Sequence, residues 1–188
     1  MGSLNFKTAK DFYFLGLWLA DGYWRSSSVG LSSTNNFLIK DFRSFLKKVC
    51  PTHPIKVRVY KPEIGTKRRL TSRHVYVNSR SLTRDFMEYK RYKKLEIPSK
   101  FLPAYFAGRI DGDGHVDRKH RTGIRIAYST KEDATRDLVL LKKLNFKSAS
   151  LYRYEQANTW VLYFRKKFLK IIQPKMAKYA LKLRFIAP

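Results

Sequence analysis

An internal repeat limits this chain's fold more than any other feature. Phe12 to Trp24 reads FYFLGLWLADGYW, and Ala104 to Val116 reads AYFAGRIDGDGHV. One constant offset aligns Gly16 with Gly108, Ala20 with Gly112, Asp21 with Asp113 and Gly22 with Gly114. The residues after each segment match as well. An alternating, strand-like stretch (SVGLSST, 28–34) precedes a helical pattern over 35–49, and GIRIAYST (123–130) precedes another over 131–144. A unit of this size used twice in 188 residues gives one sizeable domain or two small halves sharing a core.

The apolar residues support this reading. Phe37, Leu38, Phe42, Phe45, Leu46 and Val49 recur at helical spacing, as do Leu138, Leu141 and Leu144. Two alternating runs come next in each half, 55–61 with 74–78, then 150–154 with 159–164. The residues between the first pair, 62–72, read as a basic hairpin tip, and Asn158 marks the turn in the second pair. Helices over 81–89 and 166–172 close the halves, and a basic connector over 90–100 joins them. The expected fold class is therefore mixed α/β: two αββαββα repeats, 1–94 and 95–188, related by a pseudo-twofold axis. Each half contributes one motif helix to a central pair.

The first motif helix opens with Thr8 and, three residues on, Asp11, a relative of the capping box. The second begins near Ser99, with Pro103 early enough that its missing N–H does little harm. Gly22 and Gly114 suit a left-handed helix exit. Gly16 and Ala20 stand four apart on one helix face, as do Gly108 and Gly112. Glycine inside a helix costs roughly 1 kcal/mol relative to alanine. Close approach of a second helix would offset that cost, and the simplest partner for each motif helix is the other. If the two lie side by side with the same polarity, Asp21 and Asp113 meet at their C-terminal ends. Two carboxylates at two helix C-termini repel each other, and a divalent cation would relieve that repulsion.

The charge balance names a partner. Forty Lys and Arg face fourteen Asp and Glu, a formal net charge of +26. Such a surface calls for a polyanion, and nucleic acid is the first choice. No apolar run is long enough to span a membrane, and residues 1–10 lack the apolar stretch of a signal peptide. The single cysteine, Cys50, excludes an intramolecular disulfide and a cysteine-based zinc site. An intracellular, reducing compartment is expected, either a prokaryotic cytoplasm or an organelle matrix. The run from Asp111 is no calcium loop, because Val116 and Thr122 occupy the positions that need glycine and glutamate. His115 is a lesser candidate ligand.

The stretches 14–22 (FLGLWLADG) and 106–114 (FAGRIDGDG) resemble the two nine-residue motifs of the LAGLIDADG homing endonucleases. Two motifs in one short chain are similar to the single-chain, monomeric members. The resemblance implies antiparallel saddle-shaped sheets that grip double-stranded DNA in the major groove, around two packed motif helices. It implies magnesium-dependent cleavage of both strands of a long, asymmetric site. It further implies that manganese can substitute for magnesium and that calcium can bind without supporting cleavage. Asp21 and Asp113 become the catalytic metal ligands, with the backbone carbonyls of Ala20 and Gly112 as further ligands. Leu19 departs from the motif where Asp111 keeps its first acid. The stretches 32–34 and 128–130 lack the Gln or Lys often found there, which leaves Lys94 and Lys178 as candidates for an auxiliary basic group. An intron maturase, binding its own intron RNA, or a DNA-binding regulator is the alternative use of the same fold.

DNA contacts should come from the polar strand faces. The candidates are Lys56, Arg58, Tyr60, His74, Tyr76 and Asn78 in the first half, and Arg125, Tyr152, Tyr154 and Thr159 in the second. Loop residues Arg68, Arg69, Arg118 and Arg121 complete the set.

Overall fold

The first helix starts where its cap residues place it. In a computed structural model of the chain, Asp11 N–H donates to Thr8 Oγ1 (3.2 Å), while Asp11 Oδ2 accepts from the Thr8 and Lys7 amides (2.9 and 3.1 Å). This reciprocal capping satisfies amides that a helix start leaves without partners. The structure describes residues 4, 6–61, 70–91, 96–116, 123–144, 146, 149–165 and 173–183.

Helix α1 (Ala9–Asp21) runs directly into strand β1 (Gly22–Arg25), which pairs with β2 (Ser28–Ser33). Helix α2 (Asn36–Val49), β3 (Ile55–Tyr60), β4 (Ser72–Asn78) and α3 (Arg80–Arg91) come next. The second half repeats the order: α4 (Leu102–Asp113), β5 (Gly114–Val116), β6 (Gly123–Tyr128), α5 (Lys131–Lys142), β7 (Ala149–Tyr154) and β8 (Thr159–Arg165), then a short α6 (Gln173–Ala177). A 3-10 turn at Ser99–Phe101 leads into α4, whose Pro103 lies in the first turn as expected. The two sheets are antiparallel and topologically identical, in the orders β1-β2-β4-β3 and β5-β6-β8-β7. The expected helix over 166–172 and most of the 62–72 hairpin tip lie outside the described residues. No helix among the described residues is long and apolar enough to cross a membrane.

One expectation fails at the helix exits. Gly114 is extended (φ −80°, ψ 137°), and Gly22 has no positive φ. Each motif helix passes straight into a strand, so no left-handed cap forms. Gly114 is instead required by space, since a Cβ there would meet the Ile110 carbonyl.

By contact the chain divides into two units, Met1–Phe6 with Asp21–Arg91, and Lys7–Ala20 with Tyr92–Pro188. In the first unit, Leu38, Ile39, Phe42, Phe45 and Leu46 of α2, with Leu82 and Phe86 of α3, are buried along with Val29, Leu31, Val75 and Val77 of the sheet. Phe37, expected in this stripe, is 72% exposed. It shares the outer face of α2 with Asp41, Ser44 and Lys48, one helical step away from the buried row.

In the second unit, α1 and α4 are apolar nearly all round, and both are buried along most of their length. They meet backbone to backbone. A Cβ on Gly16 would strike the Tyr105 carbonyl, and one on Gly108 would strike the Tyr13 carbonyl and the Leu17 nitrogen. The helical glycines are therefore the condition for this contact.

The unit also buries charge that the apolar pattern did not reveal. Asp137 of α5 is fully buried. Its carboxylate accepts from Tyr105 Oη (2.7 Å), Tyr128 Oη (2.8 Å) and Arg109 Nε (3.0 Å). The Arg109 guanidinium also lies over the Tyr128 ring, 4.5 Å from its centroid. Burial and the Asp137 charge hold both phenols well above their ordinary titration range.

Two outcomes are expected. Gly108→Ala should destabilise the chain by about 1–3 kcal/mol in urea unfolding, although alanine is the better helix former; equal or higher stability would contradict the close contact. Asp137→Ala strands a buried guanidinium and should cost about 3–5 kcal/mol. Simultaneous replacement of Arg109 by Met should restore part of that loss.

Candidate nucleic-acid interface and helix-end acids

The register sorts each sheet into two faces. In the first sheet, Tyr23 pairs with Gly30, Gly30 with Tyr76, and Tyr76 with Lys56. In the adjacent row Ser32 pairs with His74, and His74 with Arg58. Asn78 and Tyr60 share this side, because strand side chains alternate. The buried valines occupy the opposite side. Lys56, Arg58, Tyr60, His74, Tyr76 and Asn78 therefore all lie on one face, away from the α2 core.

The face is internally organised. His74 Nε2 lies 2.8 Å from Ser32 Oγ, and its ring is 4.3 Å from that of Tyr60 and 5.3 Å from that of Tyr23. The Arg58 guanidinium lies 5.5 Å from the Tyr76 ring centroid. Burial, followed by the neighbouring Tyr76 and Tyr60, raises the Tyr23 phenol to about 12. Burial and the charges of Arg25 and Arg58 lower the His74 imidazole. Tyr23, Arg25 and Ser32 were not singled out in the sequence. Tyr23 and Arg25 lie on β1, a four-residue strand with no alternation of its own to detect, and Ser32 lies on β2, where only its pairing with His74 marks it.

The second sheet places Arg125, Tyr152, Tyr154 and Thr159 together on one face, with His115, Ser150 and Tyr163. The Arg125 guanidinium stands 5.7 Å from the Tyr163 ring centroid. His115 is exposed on this face. Tyr154 Oη donates to Gln156 (2.7 Å), and Arg153 holds the Asn158 side chain (2.7 Å) at the positive-φ turn. Arg68, Arg69, Arg118 and Arg121 lie outside the described residues. Rows of aromatic and basic side chains on open strands suit stacking and phosphate contact.

The motif aspartates are the last residues of their helices, Asp21 of α1 and Asp113 of α4. Asp111, two residues earlier, has a separate task. It is 3% exposed and accepts from Tyr13 Oη of α1 (2.8 Å) and from the Leu181 and Lys182 amides (both 2.8 Å). Burial raises its carboxyl, and these donors act against that rise. Asp111 thus ties the C-terminal segment to both motif helices.

The same segment brings a cation to the helix end. Lys182 Nζ donates to the Gly112 and Gly114 carbonyls, each at 2.8 Å, on either side of Asp113. A lysine at a helix C-terminus complements its partial negative charge. Lys178 instead stands over the Tyr179 ring, 4.9 Å from its centroid, and Lys94 lies outside the described residues. No spacing marked Lys182: the motif offset carries Lys94 to Ile186, and a Lys-Leu pair also stands at Lys143-Leu144. The carbonyl of Gly112, expected as a metal ligand, is one of the two that accept from Lys182.

The His74 shift carries a sign. Its folded value is below the ordinary 6.5, so the unfolded chain binds the proton more readily. The stability contributed by neutral His74 is present above pH 6.5 and is lost as pH falls through the folded value. Urea unfolding from pH 7 to pH 5 should show a steeper loss for the wild type than for His74→Gln. Parallel pH profiles would remove His74 as the cause.

Comparison with known proteins places these features. Residues 10–90 match the model of the LAGLIDADG-like domain. No curated protein matches the chain by sequence. Among solved structures, a mesophilic variant of the homing endonuclease I-DmoI aligns with a TM-score of 0.66 and 18% identity, covering 93% of this chain and 96% of that one. Another I-DmoI variant, in complex with its target DNA in the presence of magnesium, aligns with a TM-score of 0.64 and 20% identity, covering 87% of this chain and 95% of that one. The homing endonuclease I-WcaI bound to its DNA recognition sequence aligns with a TM-score of 0.61 and 13% identity, covering 95% of this chain and 85% of that one. Identities this low speak for the fold alone. Residues 10–90 thus match a LAGLIDADG-like domain, and the chain shares, along nearly its whole length, the fold of homing endonucleases such as I-DmoI.

Proposed function

We propose that this chain is a site-specific endonuclease that hydrolyses both strands of a long, asymmetric DNA duplex, acting as a single chain with divalent metal at Asp21 and Asp113. The observation that carries the reading is the duplicated motif helix. The copies pack through Gly16 and Gly108, each ends on its aspartate, and each continues into a sheet with one polar, aromatic face. The formal +26 charge supports a phosphate-rich substrate. I-DmoI, which shares the fold, has been solved with DNA and calcium, with DNA and manganese, and with its target DNA in the presence of magnesium.

The donor set fits a hard cation. The two carboxylates and the Ala20 carbonyl would offer oxygen ligands, while the Gly112 carbonyl accepts from Lys182 Nζ; magnesium keeps several waters and takes phosphate oxygens from its substrate. Among the described residues, no group of three or more His, Cys, Asp or Glu forms a rival site. Bound metal would polarise the scissile phosphate and lower the pKa of an attacking water. The protein's part is placement. Asp21 and Asp113 hold charge at the helix ends, and Asp111 anchors the C-terminal segment that carries Lys182. The Lys182 ammonium, between two carbonyls flanking Asp113, supplies a fixed positive charge where phosphorane charge builds. It joins Lys94 and Lys178 as a candidate for the auxiliary basic group.

The test is cleavage of a duplex target in magnesium. Asp21→Asn and Asp113→Asn should each slow cutting by on the order of a hundredfold or more, while DNA binding persists. Unchanged cutting in either variant would sink the assignment.

A further inference from the structure

The two sheets have the same topology, so their rows can be compared position by position. Gly22 pairs with Leu31 as the first sheet leaves its motif helix, and Gly114 pairs with Ile126 in the second. The next residue on the outward face is then Ser32 in one sheet and Ala127 in the other. Ser32 is followed across the sheet by His74 and Arg58. Ala127 is followed by Val161 and Tyr152.

These equivalent rows differ in chemistry. The first offers a hydroxyl, an imidazole and a guanidinium, with Ser32 and His74 already linked at 2.8 Å. The second offers two aliphatic side chains and the ring of Tyr152, which is 39% exposed. Val161, 9% exposed, is the floor of this row. It does not face the helix-packed core. Its neighbours in sequence, Leu162 and the indole of Trp160, lie on the other side of β8, with Ile126 and Tyr128 as their cross-strand partners. Alternation along β8 puts Val161 on the same side as Arg125, Tyr152 and Thr159, so an aliphatic row stands on a face that otherwise carries polar and aromatic side chains.

In the major groove only thymine presents a methyl group, and apolar side chains read it. An aliphatic floor also rejects bases whose donors and acceptors it would leave unpaired. We propose that Ala127 and Val161, flanked by Tyr152, read the C5 methyl of a thymine, while the equivalent row Ser32–His74–Arg58 reads a base edge through hydrogen bonds. The inference rests on the duplex-DNA reading above and adds that the two half-sites are recognised by different chemistry.

The experiment is a binding selection from a randomised duplex library, run with wild type, Val161→Thr and His74→Gln. Val161→Thr keeps the side-chain shape and exchanges one methyl for a hydroxyl. It should relax a thymine preference at one position, and His74→Gln should alter a position in the other half-site. Deoxyuridine placed at the Val161-dependent thymine should weaken wild-type binding ~4-fold, the effect of burying one methyl-sized group. The same exchange should leave Val161→Thr nearly unaffected. Wild-type binding that is equal for uracil and thymine overturns the proposal, as does a Val161→Thr selection identical to wild type. The uracil arm uses the unmodified protein, so a folding defect in a variant cannot mask the answer. If the wild type selects no duplex and cuts none, the endonuclease reading itself fails. If it selects and cuts a site without methyl dependence, only this inference fails.

Discussion

The contact between α1 and α4 at Gly16 and Gly108 is the constraint on which the rest depends. Main-chain atoms of one helix occupy the space that a side chain on the other would need. Nothing larger than hydrogen fits, so the helix propensity lost at two glycines is exchanged for an approach that no other residue allows. Because both helices are apolar nearly all round, each is surrounded by protein along most of its length. Their ends, and the aspartates there, inherit positions set by the backbone instead of by flexible side chains. Placement of this kind is what a catalytic group needs from its scaffold.

The second unit uses buried charge around this pair, and the first unit, taken by itself, uses hydrocarbon and aromatic packing. Asp137 gathers Tyr105, Tyr128 and Arg109 from two elements. Asp111 gathers Tyr13 and two amides of the C-terminal segment. A buried carboxylate with several donors fixes orientation as well as position, since each donor has a direction. In the first unit Phe6, Phe45, Phe86 and Tyr89 cluster instead. The repeat therefore belongs to the backbone topology, and the chemistry of the halves has diverged. Leu17 against Arg109 and Leu19 against Asp111 are the clearest signs within the motif itself.

The same divergence reaches the outward strand faces. Topology and register repeat from one sheet to the other, while the side chains on equivalent positions do not. If the chain acts on duplex DNA as proposed, unlike faces fit an asymmetric target, whereas a pair of identical faces would favour a palindrome.

Much of this was legible in the sequence, because repetition and periodicity are local signals. The paired motifs, the cap at Thr8 and Asp11, the strand and helix order, and the sharing of one face by Lys56, Arg58, Tyr60 and His74 are all consequences of spacing along the chain. The helix exits were misread because a glycine after a helix has two explanations, left-handed geometry and lack of room. Only the Ile110 carbonyl beside Gly114 separates them. Phe37 was misread because hydrophobicity alone does not say which side of α2 meets the sheet. The Asp137 and Asp111 networks and the seat of Lys182 were invisible for a different reason. Their partners lie between 9 and 98 residues away in sequence, and no local pattern encodes a hydrogen bond that only tertiary packing brings within reach. The sequence by itself determined which helices would pair and that each would end on its acid. The tertiary structure decided which buried charges lock that pair in place, and which lysine attends the second acid.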